Sequence, residues 1–323
     1  MNHFTNGKTN EFIDWLDSSG NVINASDGGV IFAAGKYHWY GQAMRDLPFA
    51  SSGKGGQVTD VGVVMYCSDD LYNWEYEGVI LPCSDGELKG PMRFERPKII
   101  YNDKTKKYVL WCHYVEHPGD HGFDIGKGEA GVAVCDKVNG KYTWLGHTRP
   151  IDADGVVRDL TLYKDDGGDA YLIFDRDISL IKHADRCQYI VKLSDDYLSV
   201  TDEYARIDPT YRREAAAIVK HKEYYFMITS DMTSWDFNAA KYYRTKNLFG
   251  PWEDMGDPCI DDDGTTFASQ TTYIFKVEGK DEYIHMAERH NTESFLHCSY
   301  IWLPIDFHDD GRLSLSYREK WNI

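Results

Sequence analysis

An aromatic-rich hairpin recurs five times along this chain, and no other feature limits its possible folds as strongly. Each copy has a turn carrying Gly, Lys or Asp, then an aromatic strand, then a second strand that often ends in Trp and Gly. The copies begin at GKYHWYG (35–41), KKYVLWCHYV (106–115), GDAYLIFD (168–175), KEYYFMITS (222–230) and DEYIHMAER (281–289). Partner strands follow, as in VVMYCSDDLYNWEYEG (63–78) and GVAVCDKVNGKYTWLG (131–146). Spacings of roughly 55–70 residues suit a unit that cannot bury its apolar faces alone and must stack on its neighbours. Four-stranded sheets repeated around an axis make a β-propeller, so the pattern predicts an all-β, five-bladed β-propeller. A β-sandwich with unrelated aromatic hairpins is the alternative. Segments such as SDDLYNW and TKNLFGPW supply turn residues between outer strands. No linker or low-complexity run divides residues 1–323, which read as a single propeller domain. The Gly- and Ser-rich stretch SSGKGG (51–56) reads as a loop within the first blade.

Composition agrees with this and narrows the partners. Aromatic residues make up 14% of the chain, with 23 Tyr and 9 Trp, which favours strands over helices. A formal charge of −17 argues against nucleic acid, because phosphate binding needs clustered Lys and Arg. It suits a neutral ligand. No run approaches 18 apolar residues, so no membrane span is expected. The N-terminal segment has no basic region followed by an apolar stretch. Seven Cys lie without C-x-x-C spacing, which suits reduced thiols. A cytoplasmic location is the expectation; a secreted chain whose leader had been removed would look the same.

Ahead of each aromatic strand stands a second strand-like segment that opens on a polar residue and continues apolar. These are SDGGVIF (26–32), FERPKIIY (94–101), VRDLTLY (157–163), RREAAAIV (212–219) and FASQTTYIF (267–275). In a propeller the first strand of each blade lines the axis, so Asp27, Glu95, Asp159, Glu214 and Gln270 are expected in matching positions around one central pocket. Any one of them alone would be a strand-start residue satisfying a turn amide. Several carboxyl groups sharing a pocket push their pKa values apart, which lets one act as an acid while another stays a base. Arg93, Arg96, Arg158, Arg212 and Arg213 are nearby cations able to offset the charge.

With Asp on blade one, Asp on blade three and Glu on blade four, the chain resembles glycoside hydrolase family 43, from about Phe12 to Tyr317. ERPKIIYN, VRDLTLY, RREAAAI and FASQTTYI resemble the exo-β-1,3-galactanase branch segment by segment. The resemblance implies an inverting, exo-acting glycosidase on a five-bladed propeller, acting on an oligosaccharide or polysaccharide and releasing terminal galactose from galactan or arabinogalactan chains. It implies Glu214 as general acid, Asp159 as the carboxylate that holds and tunes it, and Asp27 as general base. It also implies that Glu95 and Gln270 contact the sugar or position the water. One departure stands out: the galactanase branch has His-Gly-Gly-Gly where this chain has Ser26-Asp27-Gly28-Gly29. A neighbouring exo-furanosidase branch acting on galactofuranose or arabinofuranose is therefore a further expectation, as are arabinofuranosidase or β-xylosidase activities of the same family.

Trp39, Tyr40, Trp111 and Trp235 are candidate faces for a sugar ring, with core packing the competing role for each, and Arg93 is a candidate substrate contact. No cofactor is expected and no metal ligand is assigned, although some relatives hold an ion in the central channel. His113, His117 and His121 lie four apart, but Pro118, Gly119 and Gly122 oppose the helix that such a metal site needs. The run DPCIDDDG (257–264) lacks the calcium-loop pattern and reads as a solvated turn. Two rival functions stay in view. One is a carbohydrate-binding propeller without chemistry; the other is a glycoside phosphorylase using Arg212 and Arg213 for phosphate.

Overall fold

The computed structural model describes residues 2–44, 46, 61–83, 92–116, 128–152, 155–177 and 186–323. Blade one is built from Ser26–Ala33, Lys36–Gln42, Gly62–Ser68 and Glu75–Pro82, and blade two from Met92–Asn102, Lys107–Glu116, Glu129–Cys135 and Thr143–Thr148. Blade three comprises Val156–Lys164, Ala170–Asp177, Arg186–Leu193 and Val200–Ile207. Blade four comprises Arg213–His221, Tyr224–Asp231, Lys241–Thr245 and Glu253–Asp254. Blade five runs Gln270–Lys276, Tyr283–Arg289, Ser299–Phe307 and Leu313–Ser316, with Cys259–Ile260 added in parallel at its outer edge. Within every blade, successive strands pair antiparallel. The first strand of each blade touches the first strand of the next, and that of blade five touches that of blade one. The ring closes, and the predicted five-bladed β-propeller is the fold. Outside the blades, Phe4–Thr5 pairs with Lys320–Trp321, tying the two ends of the chain together. Among the described residues there is no α-helix, and none long and apolar enough to cross a membrane.

The core is divided among the five seams between blades. Trp39 and Trp302 lie in the five–one seam, Tyr40 and Phe94 in one–two, and Trp111 and Phe174 in two–three. Ile173 and Tyr243 fill three–four, and Phe226 and Ile301 fill four–five. Side chains alternate across a strand, and here both faces of a blade are covered, so adjacent residues are buried in different seams. That is why the aromatic strands run apolar without the polar alternation of a half-exposed sheet.

All five first strands carry a one-residue β-bulge near their start. The register slips between Ser26 and Gly29, Glu95 and Lys98, Val157 and Leu160, Glu214 and Ala217, and Thr271 and Tyr273. A bulge bends its strand and re-aims the side chains around it. Three of the bulges hold a non-glycine residue at positive φ: Asp27 (56°), Arg96 (49°) and Ala215 (56°). The left-handed region is unfavourable for such residues and is concentrated at functional sites. The bulges also correct the expected equivalence of the five candidates. Asp27 and Asp159 lie inside their bulges, Glu95 and Glu214 are the last paired residues before theirs, and Gln270 stands one residue earlier still. The candidates cluster without sharing one register position.

Candidate active site

Blade two contributes the residue that ties the site together. Arg96 projects from its bulge with the guanidinium among groups of three other blades. Its Nε lies 3.0 Å from Asp159 Oδ2 and its Nη2 3.6 Å from Asp27 Oδ1. Nη2 donates to Gln270 Oε1 at 2.9 Å, and Nη1 donates to the Thr271 carbonyl at 3.0 Å. Asp159 Oδ2 also accepts the Ala215 N–H at 3.0 Å, which fixes it beside the bulge that follows Glu214. Gln270 Nε2 donates to Ser230 Oγ at 2.8 Å and reaches Glu214 Oε1 at 3.5 Å. Asp27, Asp159, Glu214 and Gln270 are thus brought to one end of the first strands. Of the four, Asp27 is buried, whereas Gln270, Asp159 and Glu214 are partly exposed, the last two with 20% and 14% of their side-chain surface open.

Glu214 has the environment of an acid. Burial pushes its carboxyl up to about 8, and the Asp159 and Asp175 charges act in the same direction, while Arg186 and Arg96 pull it down. Arg186 Nη2 donates to Glu214 Oε2 at 3.0 Å. Glu95 is the opposite case. Burial raises it, but Arg93 (Nε 3.7 Å from Oε1) and His113 (Nδ1 2.6 Å from Oε2) outweigh that and hold it below the ordinary carboxylate value.

Asp27 is held by its backbone. Its N–H donates to Glu288 Oε2 at 3.0 Å, and its carbonyl accepts from the buried Lys98 Nζ at 2.8 Å. Ser26 Oγ donates to the other Glu288 oxygen at 2.6 Å. Among the described residues Asp27 Oδ1 accepts no hydrogen bond, its partner being the more distant Arg96 cation. The two glycines that follow are steric requirements. A Cβ on Gly28 would lie 1.6 Å from the Tyr40 carbonyl oxygen, and one on Gly29 2.8 Å from the Tyr40 hydroxyl. Glycine lets the bulge close onto the next strand.

Asp27, Glu288 and His290 each bring one donor atom within 4.8 Å of the others, and all three are buried. Burial lowers His290 to about 4, leaving a neutral imidazole, and its Nε2 has no hydrogen-bond partner among the described residues. Two carboxyl groups and an imidazole suit a divalent cation.

The aromatic expectations divide. Trp39, Tyr40 and Trp111 have no exposed surface and offer no face to a sugar. Trp39 packs on Tyr300 (4.5 Å between centroids) and Trp302 (4.9 Å); Tyr40 accepts the Ile99 N–H next to the blade-two bulge; Trp111 Nε1 donates to the Tyr197 carbonyl. Their place is in the seams. Trp235 is half-buried beside the site, its ring 4.7 Å from that of His290. Arg93 is buried against Glu95. The expected phosphate contact fails at Arg213, which is buried and donates to the Thr229 and Ala239 carbonyls. His113 pairs with Glu95, whereas His117, His121 and SSGKGG fall outside the described residues. In the acidic run, both Asp262 oxygens accept backbone N–H groups from 264–267, as a turn requires.

Sequence reasoning did not assign Arg186, Asp175, Glu288, His290 or Ser230. All but Arg186 lie at or just past the end of a second strand, where an antiparallel hairpin returns to the start of the first: Glu214 faces Ser230 and Gln270 faces Glu288. The signal was available in FDRD and AERH, where charges interrupt otherwise apolar strands.

Residues 45–313 match the family model described as glycosyl hydrolases family 43; Asp27 precedes the matched stretch. Among solved structures, a family 43 β-1,3-galactosidase bound to galactodeoxynojirimycin is 32% identical, with 99% of this chain and 100% of that chain covered and a TM-score of 0.86. An exo-β-1,3-galactanase from Clostridium thermocellum is 30% identical over 99% of this chain and 66% of that one, with a TM-score of 0.84. An exo-β-1,3-galactanase from Phanerochaete chrysosporium, solved as a glutamate-to-alanine variant with β-1,3-galactotriose, is 25% identical over 100% of this chain and 68% of that one, with a TM-score of 0.82. No curated protein sequence matched the chain. The five-bladed ring, the carboxyl cluster at its axis and the family match together make this chain a glycosidase of glycoside hydrolase family 43.

Proposed function

We propose that the enzyme is an exo-acting, inverting β-1,3-galactosidase that removes terminal galactose from galactan or arabinogalactan chains. The observation that carries this reading is the Glu214 carboxyl, which stands partly exposed at the axis beside Asp159 and is raised by burial well above the ordinary carboxylate range. The substrate class rests on the solved relatives, which are β-1,3-galactosidases and galactanases. Glu214 gives its proton to the departing glycosidic oxygen as the C1–O bond breaks. Asp27 takes a proton from the water whose oxygen bonds to C1 from the other face. A single displacement of this kind inverts C1 and places acid and base about 6.5–9.5 Å apart. Asp159 disfavours the ionised form of Glu214 and fixes the bulge behind it. Glu95 and Gln270 orient sugar hydroxyls or the water, and Trp235 flanks the ring. Because the Gln270 carbonyl oxygen accepts from Arg96, Asp27 is the better proton acceptor for the water. A divalent ion at Asp27, Glu288 and His290 would brace the five–one seam, held through a single Asp27 oxygen so that the other stays available for the water's proton.

The carboxylate at position 27 favours one second reading, an exo-furanosidase. The test sets reducing-end-labelled β-1,3-galactooligosaccharides beside aryl β-D-galactofuranoside, α-L-arabinofuranoside and β-D-xyloside. Labelled chains shortening one residue at a time with release of free galactose are expected. Internal fragments, or turnover of a furanoside or xyloside alone, would overturn the proposal.

A further inference from the structure

Arg186 presents a chemical conflict with the acid it touches. A guanidinium donating at 3.0 Å to Glu214 Oε2 stabilises the carboxylate, the form that cannot give a proton. An opposite charge at such a distance lowers a carboxyl pKa by about 1–3 units. The conflict is resolved on the far side of the arginine. Asp175, with no exposed surface, accepts from both Arg186 Nε and Nη2 through its Oδ2. One arginine is therefore shared between a fully buried carboxylate and the acid.

We infer that Asp175 is a positioning residue for catalysis: through Arg186 it fixes where Glu214 Oε2 points, and its charge cancels the one Arg186 would otherwise impose on the acid. This rests on Glu214 being the general acid. The geometry also selects the oxygen that carries the proton. Oε2 accepts from Arg186, so the proton belongs on Oε1, which among the described residues has only the long contact to Gln270 Nε2 at 3.5 Å. Oε1 is the oxygen left to face a departing sugar. Other charges around Glu214 are Asp159, Arg96 and the neighbouring Arg213; around Asp175 they are Asp159 and Arg158. Burial pushes Asp175 up to about 6 while Arg186 draws it down, so it is ionised where Glu214 is still protonated.

The experiment is the pH dependence of kcat/KM for Asp175→Asn, Arg186→Gln and Glu214→Gln on an unactivated β-1,3-galactobioside, with thermal unfolding of each variant recorded. Asp175→Asn leaves the arginine charge uncancelled, so the basic limb moves to lower pH by about 1–2 units. Arg186→Gln moves it to higher pH by a smaller amount, because the unpaired Asp175 then takes up a proton itself. Opposite shifts from two members of one ion pair are not produced by loss of packing, which lowers kcat without moving the limb. If Asp175→Asn does not fold, the upward shift in Arg186→Gln decides alone. Unchanged limbs in both variants, with Glu214→Gln inactive, overturn this inference and leave the acid assignment standing. A Glu214→Gln enzyme that keeps its activity and its basic limb overturns the acid assignment itself.

Discussion

Replacing Arg96 by Met removes a side chain that contacts blades one, three and five together. Its two ionic contacts are unequal: Asp159 is at hydrogen-bond length (3.0 Å) and Asp27 is longer (3.6 Å). A hydrogen bond to a charged group contributes about 1.5–3 kcal/mol, and one to a neutral group about 1 kcal/mol. The Gln270 and Thr271 oxygens are neutral, but the guanidinium that donates to them is charged, so these bonds are charge-assisted as well. Asp159 keeps a fifth of its surface in solvent, which softens the loss of its partner. The expected cost is about 3–5 kcal/mol, the range for removing one member of a buried ion pair. With an unfolding entropy of about 2.1 cal/mol/K per residue, a chain of 323 residues should lose about 4–7 °C in Tm. The catalytic loss should exceed the loss in stability, because Asp27, Asp159 and Gln270 all lose their common anchor. Arg96→Lys keeps the charge but not the fork, so it should recover Tm better than activity. Differential scanning calorimetry with kcat and KM on the same samples checks both. An Arg96→Met enzyme within about 1 °C of the parent Tm and within twofold in kcat would refute this account of Arg96.

Three further outcomes are expected. Glu214 has its folded pKa raised to about 8, so kcat/KM should fall as pH rises through about 8. The same shift makes folding less favourable as pH climbs from the unfolded carboxyl value toward the folded one, because the folded state holds the extra proton; Glu214→Gln should remove that part of the pH dependence of Tm along with the activity. Asp27→Asn should abolish most turnover with substrate binding nearly intact and be partly rescued by azide as an inverted glycosyl azide, whereas Gln270→Ala should be milder; the reverse order would transfer the water to Gln270. Trp235→Ala should act mainly on KM, while Trp39→Ala, which opens a cavity in the five–one seam, should cost about 3–5 kcal/mol of stability; both are read from kinetics and urea unfolding.

The fold was legible because each blade repeats one hairpin signature. The acid cluster was legible because a carboxylate opening an apolar strand is costly to bury unless a partner or a site holds it. The bulges were not. A one-residue slip leaves no trace in a run such as REAAAIV, yet it decides which of two neighbouring residues faces the axis. Arg96 illustrates this: it stood in the sequence as one of several nearby cations, and only the bulge at Arg96-Pro97 aims it at Asp27, Asp159 and Gln270. Between a sugar face and core packing, Trp39, Tyr40 and Trp111 could not be divided from Trp235 by sequence for a related reason. Both faces of a blade are covered, so an aromatic on either side of these strands goes into a seam. Asp175 and Glu288 come from second strands whose patterns look like core, and their role appears only when blade three packs on blade four and blade five on blade one, which brings them to the Arg186–Glu214 pair and to Asp27.

The most direct test of the catalytic account is the configuration of galactose at the moment of release. Proton NMR of β-1,3-galactobiose hydrolysis, recorded within minutes and ahead of mutarotation, should show the α-anomer of the non-reducing galactose appearing first. Asp27 acting on water while Glu214 protonates the leaving oxygen permits no other order. Initial accumulation of β-galactose would mean a double displacement, and would contradict the assignment of these two carboxyl groups.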